Sequence, residues 1–259
     1  MQCGLSTACF FPMETTRALE EICNTEVKLV ELFFNTFCEL EDGYVDRLQL
    51  ILRQNHMKVS AVHPFTSMME PFFFSSPYLS RQEDGMQLYR RYFEVCRALE
   101  APILVFHGQY QNTNYPFEQY CKNYDTLRQL GKNYGVSLCQ ENVARCKCGF
   151  SENIRKLREW TDDRAEFVLD LKQERRAENN LDEMFLAMNG KIRHVHISDF
   201  SQDYDCLPPG EGKENWPEIV NRLRQQPCDS MVVELYRDGF QDTMQLVNAA
   251  AVVNACLKP

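Results

Sequence analysis

The stretch GMQLYRRYFEVCRAL, residues 85–99, followed closely by Ile103-Leu104-Val105-Phe106, decides the architecture. In the longer part Leu88, Tyr92, Val95, Cys96 and Leu99 recur at three and four, with Arg90, Arg91, Glu94 and Arg97 filling positions between them. That period belongs to an amphipathic helix. Ile103 to Phe106 is instead an unbroken apolar run, the pattern of a strand buried on both faces in a parallel sheet covered by helices.

The same alternation extends in both directions. Strand-like runs are Gln2–Cys9, Lys28–Phe34, Lys58–Val62, Ile103–Phe106, Val136–Gln140, Glu166–Leu169, Ile192–Ile197 and Met231–Leu235. Between and after them lie helical stretches such as Thr15–Cys23, Tyr44–Gln54, Gly85–Leu99, Glu118–Asn133, Trp216–Arg224 and Asp242–Leu257. Eight strand-then-helix units without a Pro/Gly/Ser-rich linker predict an α/β protein, a single (β/α)8 barrel domain over residues 1–259. An open doubly wound sheet is the alternative, and it often carries a G-x-G-x-x-G turn that this chain lacks. Gly210-Glu211-Gly212-Lys213 is no phosphate loop, because Glu214 stands where Ser or Thr is needed.

Composition narrows the function classes. The 259 residues are 44% hydrophobic and 25% charged, with a net charge of −9, ordinary values for a globular chain. There is no basic stripe to grip phosphates, which argues against a nucleic-acid partner. Met1 to Pro12 has no basic leader region, no apolar stretch is long enough to cross a bilayer, and a cytoplasmic protein is expected. The twelve cysteines are scattered and read as reduced thiols. Cys146-Lys147-Cys148, with Cys139 nearby, lacks the second pair that structural zinc usually wants.

In such a barrel the active site lies at the carboxyl ends of the strands. Strand three runs into His63 and strand four into His107; strand five ends in Glu141-Asn142, and strand six in Asp170 followed by Lys172 and Gln173. Strand seven carries His194, His196 and Asp199, and strand eight Glu234. Of five histidines only His56 falls elsewhere. Glu141, Asp170, His196 and Glu234 come from four successive strands, so their side chains can converge. Three carboxylates in an apolar mouth repel one another unless a cation neutralises them. Three oxygens and one imidazole suit one divalent ion, Mn²⁺, Mg²⁺, Co²⁺ or Zn²⁺. Asp199 is placed to hold the second ring nitrogen of a ligand histidine. Each residue also has a plainer reading: Asp170 or a glutamate as helix cap or salt-bridge partner, His63 and His107 as core histidines, Lys172 as a charge partner of Asp170. The Phe72-Phe73-Phe74 run with Tyr78 is either a lid or packing under a loop.

At these residues the chain resembles the sugar-phosphate isomerase/epimerase branch of the xylose-isomerase-like TIM barrels, whose relatives include ketose 3-epimerases, inosose dehydratases, hydroxypyruvate isomerase and endonuclease IV. The carriers are Cys139-Gln140-Glu141-Asn142, Phe167-Val168-Leu169-Asp170, His194-Val195-His196-Ile197-Ser198-Asp199, the Pro209-Gly210-Glu211-Gly212 turn before Trp216, and Val232-Val233-Glu234-Leu235. The resemblance implies a single divalent-metal site of Glu141, Asp170, His196 and Glu234. It implies that Glu141 and Glu234, from opposite sides, act as base and conjugate acid on the carbon beside a substrate carbonyl. His63 and His107 match positions that line the substrate pocket or, in the nuclease branch, bind zinc. Where relatives commonly have a histidine three residues after the strand-six aspartate, this chain has Gln173, with Lys172 beside it; both are read as substrate-binding. No arginine follows the strand-seven histidine between Phe200 and Asp205.

The function implied is a metal-dependent isomerase or epimerase of a small sugar, keto-sugar or sugar phosphate, the same proton abstraction also serving a dehydratase or lyase. A non-catalytic sugar- or partner-binding barrel is the alternative. An endonuclease IV-like phosphodiesterase is a further one, disfavoured by Gln173 and by Tyr204 and Cys206, which stand where that relative has extra zinc ligands. Relatives are often dimers or tetramers, and homo-oligomerisation stays open.

Overall fold

A computed structural model describes residues 1–258. The first half of the chain runs β1 (Gln2–Ser6), α1 (Thr15–Cys23), β2 (Leu29–Phe33), α2 (Asp42–Gln54), β3 (Lys58–His63), α3 (Glu70–Phe74), α4 (Leu79–Ala98) and β4 (Ile103–Phe106). It continues α5 (Phe117–Lys132), β5 (Ser137–Glu141), α6 (Ser151–Trp160), β6 (Glu166–Asp170), α7 (Leu171–Arg176), α8 (Leu181–Ala187), β7 (Ile192–Ile197), α9 (Trp216–Leu223), β8 (Ser230–Val233) and α10 (Thr243–Leu257). All neighbouring strands pair in parallel, and β8 returns to β1 through Gln2 with Ser230 and Leu5 with Val233. The sheet is a closed barrel in sequence order, the (β/α)8 architecture predicted from the alternation. No helix among the described residues is long and apolar enough to cross a membrane.

Strand side chains alternate between the two faces, and this parity sorts the whole core. Leu5, Val30, Leu32, Val62, Leu104, Leu138, Leu169, Val195 and Val233 point outward into one large cluster with the helices. Ala61, Ile103, Val105, Cys139 and Val168 form a separate small cluster inside the barrel. Two residues beyond those inner positions stand His63, His107, Glu141 and Asp170. A period of two thus delivers the polar residues to the barrel mouth, directly above an apolar plug.

Several boundaries differ from the sequence reading for identifiable reasons. The first strand stops at Ser6, not Cys9, because Ser6 caps a 3-10 turn over Thr7–Phe10 by accepting from the Ala8 N–H. Glu234 lies one residue beyond β8. Of the aromatic run after β3, Phe73 and Phe74 are buried in the outer core, whereas Phe72 is 48% and Tyr78 63% exposed. Packing therefore accounts for half of that run.

Asp199 does not reach a histidine. It lies two residues beyond the end of β7, in the loop that leads to α9. Its Oδ1 accepts from the N–H groups of Phe200 (2.9 Å) and Glu214 (2.9 Å). Its Oδ2 accepts from Gly210 N–H (2.9 Å) and Trp216 Nε1–H (3.0 Å). It is the organising anion of the loop between β7 and α9. A Cβ on Gly212 would stand 2.2 Å from Asp199 Oδ1, so only glycine fits there. Because four N–H groups would lose their acceptor, Asp199→Ala is expected to destabilise the chain by about 3 kcal/mol or more. Urea unfolding measures this, and a loss near zero would show that the loop does not depend on the carboxylate.

Candidate metal centre

The end of β5 supplies Glu141, the end of β6 Asp170, the end of β7 His196, and the residue after β8 Glu234. They converge on one atom. His196 Nδ1 lies 3.3 Å from Glu141 Oε1, 3.6 Å from Glu234 Oε2 and 3.8 Å from Asp170 Oδ2. Asp170 divides its carboxylate between two tasks. Oδ1 caps α7 by accepting from the Gln173 N–H at 2.9 Å, while Oδ2 faces the cluster. The helix-cap reading and the cluster reading of this residue are both realised, one oxygen each. The buried Lys172 ammonium stands 3.0 Å from Glu234 Oε2 and 3.6 Å from Asp170 Oδ2.

A second group adjoins the first through Glu141. Its Oε2 is 2.8 Å from His107 Nε2 and 3.7 Å from His63 Nε2, and the two ring nitrogens are 3.1 Å apart. His63 also packs against Phe33, with ring centroids 4.7 Å apart. Gln173 behaves differently from its neighbours: its Oε1 accepts from the Ala144 N–H at 3.1 Å, bracing the loop after β5. Cys139 lies inside the barrel and Cys148 in the outer core, so those thiols do not form one cluster.

Charge explains the electrostatics. Burial works against ionised Glu141, yet His107 and His196 beside it hold its carboxyl well below the usual range. Burial likewise opposes a charged His196, but Glu31, Glu234 and Glu141 raise it well above an ordinary histidine. His107, by contrast, is lowered by burial. Lys172, despite its burial, is pushed well above the normal lysine value by Asp170 and Glu234. Glu141 Oε2 and Asp170 Oδ2 are buried oxygens without a hydrogen-bond donor. His107 approaches Glu141 Oε2 closely but off the line of a hydrogen bond. Buried acceptors left unpaired call for a cation. Glu141, Asp170 and His196 form a group able to hold a metal ion, as do His63, His107 and Glu141. The donor set, oxygens with imidazole, fits a divalent ion.

Two glutamates of this region escape a reading based on strand ends. Glu31 sits in the middle of β2, with Oε2 2.9 Å from His196 Nε2 and 3.2 Å from His194 Nε2. It takes the place expected for Asp199. A charged residue inside the apolar run Leu29-Val30-Glu31-Leu32-Phe33 was the available signal. Glu70 starts α3 and accepts from the N–H of His107 at 2.7 Å, from Gly108 N–H and from the Tyr89 hydroxyl. It fixes the backbone from which His107 projects, and nothing in its local sequence marks it.

Burial pushes Glu70 up to about 8, against the pull of the Gly108 N–H and the Tyr89 hydroxyl. In the unfolded chain it titrates in the ordinary glutamate range. Between those values the folded chain keeps a proton that the unfolded chain has released. Its contribution is complete below the ordinary range and is lost as pH rises through about 8. Glu70→Gln is therefore expected to flatten the fall of unfolding free energy with rising pH across this window, followed by denaturant titration. An unchanged slope would mean that Glu70 is ionised in the fold.

The sequence model of the xylose isomerase-like TIM barrel family matches residues 21–255. An uncharacterized protein of Methanocaldococcus jannaschii, MJ1614, is 25% identical over 254 residues, covering 93% of this chain and 95% of that protein. Among solved structures, a D-tagatose 3-epimerase-like protein superposes with a TM-score of 0.80 at 18% identity, over 99% of this chain and 97% of its own. The IolI protein with a bound zinc atom gives 0.74 at 18% identity, over 99% and 96%. These structural likenesses are likenesses of fold. With the family match spanning nearly the whole sequence and the closed eight-stranded barrel, the chain belongs to the xylose isomerase-like TIM barrel family.

Proposed function

We propose that this chain is a divalent-metal-dependent isomerase or epimerase of a small sugar, keto-sugar or sugar phosphate, working in the cytoplasm. The observation that carries the reading is the convergence of Glu141, Asp170 and Glu234 on His196 Nδ1, with buried carboxylate oxygens left unpaired. The D-tagatose 3-epimerase-like protein and the zinc-bound protein among the structural neighbours support it.

Glu141, Asp170, His196 and Glu234 would hold the ion. When bound, a divalent cation there supplies a Lewis acid that polarises a carbonyl and makes the neighbouring C–H more acidic. Glu141 and Glu234 come from β5 and from the end of β8 and flank His196 from different strands. One carboxylate takes the proton from carbon, leaving an enediolate, and the other returns a proton from the opposite side. Lys172 holds Glu234 in place at 3.0 Å and adds positive charge where the enediolate oxygen develops. His63 and His107 offer ring nitrogens to substrate hydroxyls, and Gln173 supports that side of the pocket.

A phosphodiesterase with several zinc ions is a second reading, favoured by one observation: His63, His107 and Glu141 form another group of ligand-forming atoms. Ion counting separates the two. Plasma mass spectrometry of the purified protein is expected to find about one divalent ion per chain, lost in His196→Ala; several zinc ions would favour the phosphodiesterase. In heavy water, the loaded protein is expected to place deuterium on the carbon beside the carbonyl of at least one ketose. Silence across a ketose panel would sink the isomerase reading. Lys172→Met should lower turnover by roughly ten-fold or more if its charge meets the enediolate, and unchanged turnover would remove that role.

A further inference from the structure

Glu31 is completely buried in β2, inside the barrel and beneath His196. Its Oε1 accepts from the Ser6 hydroxyl at 2.9 Å. Its Oε2 meets two imidazoles, His196 Nε2 at 2.9 Å and His194 Nε2 at 3.2 Å. We propose that Glu31 is the positioning residue of the metal centre: its carboxylate fixes the ring proton of His196 on Nε2 and so commits the Nδ1 lone pair to the carboxylate cluster. The proposal deepens the metal-centre reading and rests on it for one of its two readouts.

The argument is one of donors and acceptors. An ionised carboxylate only accepts, so each ring nitrogen facing it must carry hydrogen. For His194 the nearer Nδ1 partner fits this assignment. Its Nδ1 is 2.8 Å from Ser230 Oγ, whose hydroxyl can donate to a bare nitrogen, and 3.2 Å from the Ser230 carbonyl oxygen, while its Nε2–H donates to Glu31. For His196 the same carboxylate settles a contest. Nδ1 faces oxygens of Glu141, Glu234 and Asp170 within 3.3 to 3.8 Å, and all three attract a proton to that nitrogen. A nitrogen that is to be a metal ligand must be bare, with the proton on the other ring atom. Glu31, at 2.9 Å from Nε2, is the acceptor that draws the proton to the far side. Ser6 and His194 pin the carboxylate so that it cannot turn away.

Two substitutions separate an acceptor role from a packing role. In Glu31→Gln the amide oxygen can take the position of Oε2 and receive both ring N–H groups, while its NH2 meets Ser6 Oγ as acceptor. In Glu31→Leu no acceptor remains. The first readout is the long-range imidazole ¹H–¹⁵N spectrum of metal-free protein, recorded at a pH high enough that the His196 ring carries a single proton, with His196 assigned by its loss in His196→Ala. Nε2 is expected to carry a proton in the parent chain and in Glu31→Gln, and to be bare in Glu31→Leu. A bare Nε2 in the parent, or a protonated one in Glu31→Leu, overturns the proposal. The parent spectrum needs no Glu31 variant, so a leucine chain that fails to fold leaves the test standing.

The second readout is zinc affinity by chelator competition. Glu31→Leu is expected to lose about ten-fold or more, while Glu31→Gln stays near the parent. Equal losses in both, or none in Glu31→Leu, overturn the proposal. A parent chain that binds no zinc sinks the metal-centre reading instead, and the ring-proton spectrum then decides the role of Glu31 alone.

Discussion

The rest of the site depends on one constraint: Glu31, Glu141, Asp170 and Glu234 crowd negative charge into the mouth of an apolar barrel. In a medium of low polarity such charges raise each other's energy steeply unless cations and hydrogen-bond donors are built in among them. Each neighbouring feature answers that demand. Lys172 reaches between Asp170 and Glu234. The two imidazoles of β7 face Glu31, and Asp170 shares one oxygen with the start of α7. What is left over is two buried oxygens without a donor, Asp170 Oδ2 facing His196 and Glu141 Oε2 facing His107 and His63.

The barrel can bear this crowding because its two cores are separate. The outer cluster joins strands to helices, and the inner plug of Ala61, Ile103, Val105, Cys139 and Val168 closes the floor under the polar layer. Burial of the outer cluster supplies most of the stabilisation, as hydrophobic area does in any domain. A rearrangement among the polar groups above therefore need not disturb the apolar contacts that hold the strands together.

Much of this was legible in the amino-acid order. The alternation of apolar runs and amphipathic segments is a direct consequence of a parallel sheet covered by helices, and it named all eight strands. Glu141, Asp170, His196 and Glu234 stood out because strand ends are where such barrels gather polar groups. Glu31 did not, since it interrupts a strand instead of ending one. Glu70 was hidden for a different reason: its partners, His107, Gly108 and Tyr89, come from parts of the chain far from it, and only the closed fold brings them together. Asp199 was misassigned because the spacing of a motif says nothing of parity once the strand has ended. The short helices α3, α7 and α8 carry too few turns for a period of 3.6 to declare itself.

Lys172 has a consequence for how such a centre comes into being. An ammonium already lodged between Asp170 and Glu234 supplies part of the positive charge those carboxylates require, whatever else is bound. The strands carrying the carboxylates can then close without waiting for an ion to bring them together. If the centre takes an ion, closure of the barrel need not await it at these two carboxylates.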